Sequence, residues 1–156
     1  MIGLIVVLIV VVIVIGMYVK RKKQIGNYQL PIDTRKLLSD NVPFYNELDN
    51  NRKMQFEVRI KDFLAHTTIR GIDVEVEDLD RILIASGAIM LIFTFPDWKY
   101  NNISEVLLYK GAFSKDFNSV GADRKVLGMV GDGAMHREMI LSRPSLRASF
   151  QLGADG

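Results

Sequence analysis

Hydrophobic and polar positions divide the chain into one long apolar block and a mosaic of shorter patterns. Residues 1–19, MIGLIVVLIVVVIVIGMYV, carry no charged side chain. As a helix, Ile2 to Val19 would extend roughly 27 Å, close to the hydrocarbon thickness of a bilayer. A cleaved signal peptide would have its positive charge before the apolar run and a small-x-small site after it, whereas here Lys20-Arg21-Lys22-Lys23 follows and the run ends in Gly16-Met17-Tyr18-Val19. A lipoprotein anchor needs a cysteine, and there is none. A buried core strand is the third alternative, but no turn residue interrupts the run as that reading requires. The pattern predicts a single-pass transmembrane anchor over 1–19 and a basic flank and linker over 20–30. Because positive flanks stay on the cytoplasmic side, it also predicts an inner-membrane location with the remaining domain, 31–156, in the cytoplasm.

Beyond the linker the periods shorten. A helical region beginning at Pro31 carries the apolar pair Leu37 and Leu38 and breaks at Pro43. NNRKMQFEVRIKDFLAHT then places Phe56, Ile60, Phe63 and Leu64 on one face of an amphipathic helix. After Gly71, IDVEVE alternates apolar and acidic residues as a half-exposed strand does. The segment from Asp78 to Phe95 is apolar almost all round, which predicts a central core helix with Ile84 and Leu91 buried. A second membrane segment is the alternative there, although the run is short for a span. Val106–Tyr109 and Met139–Ser142 read as two further strands around an irregular, glycine-rich stretch from Gly111 to Gly133. Helices and strands in this order indicate an α+β domain.

Charge changes the picture only after the flank is set apart. The chain has 20 basic and 18 acidic residues, and four of the basic ones are Lys20 to Lys23, so residues 24–156 carry 16 against 18, a balance of −2. A domain so balanced lacks the electrostatic footprint of a nucleic-acid binder. The absence of cysteine excludes thiolate chemistry and fits a reducing compartment.

Candidate chemistry is sparse. His66 and His136 are the two histidines and stand too far apart for an i, i+4 metal pair. They read as a polar helix end and a loop residue. GMVGDG lacks the Lys-Ser/Thr of a phosphate loop, and no serine sits in a Gly-x-Ser-x-Gly elbow. Asp73, Glu75, Glu77, Asp78 and Asp80 are explained by strand solvation followed by a helix N-terminus. No catalytic or metal-binding residue is assigned on these grounds.

Taken in order, VPFYNEL, FEVRIKDFLA, ILIASGAIMLIF, W-x-Y, VLLYKGAF and ILSRPSLRASFQLGADG resemble the N-terminal half of the Mlc titration factor A family of zinc-dependent peptidases. The resemblance covers about residues 30–156. It implies a partial zincin-like domain, a peptide or protein substrate, and zinc held by a His-Glu-x-x-His helix that would follow the Asp155-Gly156 turn. None of those metal ligands lies in this chain, so zinc is expected in the complete family member and not here. It also implies that an edge strand of the sheet lies along the substrate cleft. Met139–Ser142, with Ile140, Leu141 and Ser142, or Val106–Tyr109, are the candidates. The alternative to a partial metallopeptidase is a non-catalytic, membrane-tethered interaction module on the same scaffold.

Overall fold

A computed structural model describes residues 2–112, 128–130 and 137–151. His136 and the Gly153–Gly156 turn lie outside the described residues. The chain opens with helix α1, Ile2–Asn27, which is longer than the predicted anchor because the helix continues through the basic flank and beyond it. Its described apolar side chains, Ile5 to Val19, all face solvent. Among the described residues no helix is long and apolar enough to cross a membrane.

Short helices α2 (Thr34–Asn41) and α3 (Pro43–Glu47) follow. The break between them falls at Val42, whose φ of −125° and ψ of 89° lie outside the helical region that a following proline disfavours, while Pro43 opens the next helix where no amide donor is missed. Helix α4, Asn50–His66, starts on Asp49, whose carboxylate accepts the Arg52 amide at 2.9 Å. It buries Phe56, Ile60, Phe63 and Leu64, the face that its sequence period predicts. Phe56 sits among Phe44 and Phe93, with ring centroids 5.4–5.7 Å apart.

Strand β1 occupies Thr68–Ile72, ahead of the predicted position. The alternating IDVEVE run is mostly not a strand, because Asp73 adopts φ 55° and turns the chain out of the sheet. The Val74 carbonyl then folds back over Gly71, where a Cβ would stand 1.9 Å from that oxygen. Helix α5, Asp78–Ile92, begins with a capping box between Glu77 and Asp80. Its carboxyl end is held by the Arg59 guanidinium, which donates to the carbonyls of Ile92, Phe93, Phe95 and Trp98 at 3.0–3.2 Å.

Strands β2 (Glu105–Tyr109), β3 (Gly128–Val130) and β4 (Glu138–Ser142) complete a sheet ordered β1-β2-β4-β3. β1 runs parallel to β2 and β2 to β4, with Val106 opposite Ile69 and Met139, while β3 returns antiparallel along β4. Ile82, Leu83, Ile84, Ala85 and Ile89 of α5 share one core cluster with Ile69, Val106 and Leu108 of the sheet. The core helix is therefore confirmed, with one correction: Leu91 is 77% exposed. Leu91 and Ile92 point about 100° apart on the last turn, and of the two only Ile92 faces the core. Helix α6, Arg143–Gln151, starts directly from the end of β4.

Candidate functional site

Helix α6 buries none of its residues fully, so packing alone does not fix it. Charge does much of that work. Arg143 and Arg147, one turn apart, project from the same face toward the start of α5. Both meet Asp80, which is completely buried. Arg143 reaches the Asp80 carboxylate through Nε at 3.1 Å and Nη2 at 2.9 Å. Arg147 does so through Nε at 3.0 Å and Nη2 at 2.8 Å. The Glu77 amide donates to Asp80 at 3.0 Å, and the Glu77 carboxylate takes both guanidinium groups, that of Arg147 at 2.7 Å.

Hydrogen bonds from Arg147 and then Arg143 hold the Glu77 carboxyl below its ordinary value. Burial pulls both guanidinium groups down, but their bonds to Glu77 and Asp80 outweigh it and leave them raised. The acidic cluster is therefore more than a solvated helix start. Its sequence signal is the Arg-x-x-x-Arg spacing in SRPSLRAS, which puts two cations on one helical face.

The same face of α6 carries Leu146 and Phe150, which pack against the core cluster, with the Phe150 ring over Gly87 of α5, 3.8 Å from where a Cβ would stand. Between α3, α5, β4 and α6 lies an open apolar groove of about 600 Å³. Phe44, Leu91, Met139, Leu141, Leu146 and Phe150 line it. Leu91, misplaced in the core by its sequence context, is a wall of this groove.

The expected substrate strand needs correction. β4 is a central strand, since β2 pairs with it on one side and β3 on the other, opposite Met139, Ile140 and Leu141. Val106–Tyr109 is likewise flanked by β1 and β4. Ser142 is buried and accepts a hydrogen bond from Ser145 Oγ at 3.3 Å. Among the described strands the sheet edge on this side is β3, three residues inside the glycine-rich stretch whose lack of alternation concealed a strand.

His66 is a polar helix end, as expected. Its Nδ1 lies 2.7 Å from the Asp62 carbonyl and 3.2 Å from the Asp62 carboxylate, which also binds Lys99 at 2.9 Å. Among the described residues no group of three or more histidine, cysteine, aspartate or glutamate side chains is placed to hold a metal ion.

Comparison with known proteins settles the kinship. The family model of the glucose-regulated metallo-peptidases M90 matches residues 17–156. The chain belongs to that family. This is the family of Mlc titration factor A, which the ordered segments resemble. A Synechocystis sp. protein described as uncharacterized protein slr2042 is 30% identical over 94 residues, which cover 60% of this chain and 34% of that protein. The matched segment thus spans about a third of the relative's length. No solved structure matches.

Proposed function

We propose that this chain is the N-terminal portion of a zinc-dependent metallopeptidase held at the inner membrane by α1, with its soluble part in the cytoplasm. The family match over residues 17–156 carries the peptidase reading. In the proposal the zinc-binding His-Glu-x-x-His helix lies in sequence following Gly156. The apolar groove beside α6 supports this: among the described residues nothing covers its apolar wall, which lies next to the last described helix, where a further helix of the complete fold would bury it. The edge strand that pairs with an extended peptide substrate is then β3, Gly128–Val130, in place of Ile140, Leu141 and Ser142.

Anchoring rests on α1. Ile2, Gly3 and Leu4 extend the exposed run from Ile5 to Val19 into one uncharged stretch of sequence, and among the described residues nothing covers the apolar side chains from Ile5 to Val19. Lipid is the solvent that such a surface fits.

The test is to read the coding sequence beyond Gly156 and to assay the protein it specifies against unstructured peptide substrates. A His-Glu-x-x-His helix shortly after Gly156, with hydrolysis abolished by Gln at its Glu, is the expected result. A stop codon at that point, or a longer protein with no hydrolysis, would favour the interaction module.

A further inference from the structure

The end of α1 does not stand clear of the soluble domain. It packs against α4, where Ile25 shares a pocket of about 230 Å³ with Val58, Pro96, Trp98 and Lys99. Several of these neighbours are unusual for a domain surface. Val58 is 64% exposed and Trp98 54%, so two large apolar side chains stand beside Ile25 on the side of the domain that meets α1, and Phe95, 61% exposed, is carried by the same turn as Trp98. The turn carrying Phe95 and Trp98 is fixed, because the Trp98 amide donates to the Phe95 carbonyl at 3.2 Å and Arg59 holds both carbonyls. Trp98 also rests edge-on against Tyr100 at 5.5 Å.

Geometry places this patch relative to a bilayer. Ile25 follows Val19, the last residue of the apolar run, by about 9 Å of helix at roughly 1.5 Å per residue. The polar layer outside the hydrocarbon is about 5–8 Å thick on each side. With the roughly 27 Å apolar run of α1 centred in a hydrocarbon layer of about 30 Å, Ile25 stands about 7–8 Å outside it, so Val58 and Trp98 beside it, with Phe95 on the same turn, arrive at the outer part of the headgroup layer. Tryptophan favours that level because its ring is apolar and its N–H is wet. The charges agree, since Lys20 to Lys23 precede Ile25 in the sequence and Arg59 and Lys99 line the pocket against Asp62, which binds Lys99, and anionic headgroups attract such a basic excess.

We infer that the surface formed by Val58, Phe95 and Trp98 docks the soluble domain onto the headgroup layer of an anionic membrane, beside the point where α1 emerges. The inference rests on the membrane reading of α1. Docking would hold the domain in one orientation on the bilayer, where a bare tether would leave it free to tumble.

Trp98 is the chain's single tryptophan and therefore reports on itself. The full chain is reconstituted into vesicles of phosphatidylcholine and phosphatidylglycerol, floated on a density gradient, and examined with quenchers attached either at the headgroup or at the acyl-chain end. Flotation with about a twofold loss of Trp98 emission to the headgroup quencher, and little loss to the acyl-end quencher, is expected. Val58→Asp, which is exposed and should leave the fold intact, is expected to reverse most of that loss by placing a carboxylate among anionic headgroups. Flotation with Trp98 open only to aqueous acrylamide would overturn the docking while leaving α1 in the bilayer. A V58D chain quenched like the wild type would reduce the effect to tethering and also overturn it. Trp98 shielding that depends on protein concentration and not on lipid would assign the patch to a second copy, and failure to float would overturn both readings.

Discussion

Asp80 offers the sharpest perturbation of this fold. Its carboxylate has no exposure and receives five short contacts, one from the Glu77 amide and four from two guanidinium groups. The arginines differ in exposure, since the side chain of Arg143 is 18% accessible and that of Arg147 32%. Removing one partner of a buried pair costs about 3–5 kcal/mol, because the other charge stays buried and unpaired. Asp80→Ala should fall in the lower half of that range, about 3–4 kcal/mol, since the arginines can turn toward Glu77 and water. The double replacement of Arg143 and Arg147 by Ala should cost more, about 4–5 kcal/mol, because it leaves a carboxylate with no access to water. Arg147→Ala alone, with Arg143 still in place, should cost about 1–2 kcal/mol. Denaturant unfolding of the full chain in detergent, followed by circular dichroism, measures these differences. A D80A variant within about 0.5 kcal/mol of the wild type, the range of ordinary surface changes, would refute the claim that this cluster fastens α6.

Three further outcomes follow from the same structure. Ile84→Asp should abolish cooperative unfolding because it puts an unpaired carboxylate in the core, whereas Leu91→Asp should stay within about 0.5 kcal/mol and reduce dye binding at the groove, both read by thermal melting and fluorescence. Glu77 is held below its ordinary value of 4.5 by Arg147 and Arg143, so its contribution is fully present above that value and is lost as pH falls through the lowered one; the stability difference between wild type and Glu77→Gln should shrink in that acid window. Gly71→Ala should destabilise by about 1–3 kcal/mol in denaturant titrations, because the new methyl meets the Val74 backbone carbonyl and not a side chain that can swing away.

The legible parts of the fold were those with a strong period. Phe56, Ile60, Phe63 and Leu64 recur at helical spacing and all point inward in α4, and Val106–Tyr109 and Met139–Ser142 are strands because β-branched and large apolar residues cluster there. Alternation misled at IDVEVE, since a positive φ at Asp73 is invisible in an apolar–acidic pattern. Leu91 was misplaced because hydrophobicity does not say whether an apolar residue faces a core or a groove. The sheet order was illegible for another reason: β3 is three residues long and pairs with β4 through tertiary proximity, so the edge position of β4 could not be checked without it. The Asp80 clamp joins residues 63 and 67 positions apart, beyond the reach of any local pattern.

The central proposal, that this M90 family chain is part of a zinc peptidase whose metal-binding helix follows Gly156, is tested most directly by elemental analysis for zinc on the protein encoded by the continued reading frame, with residues 1–156 alone as the reference. The account predicts one zinc per chain in the longer protein, lost when either histidine of the downstream motif is replaced by Ala, and no stoichiometric zinc in 1–156. Equal zinc in both proteins, or none in the longer one, would contradict it.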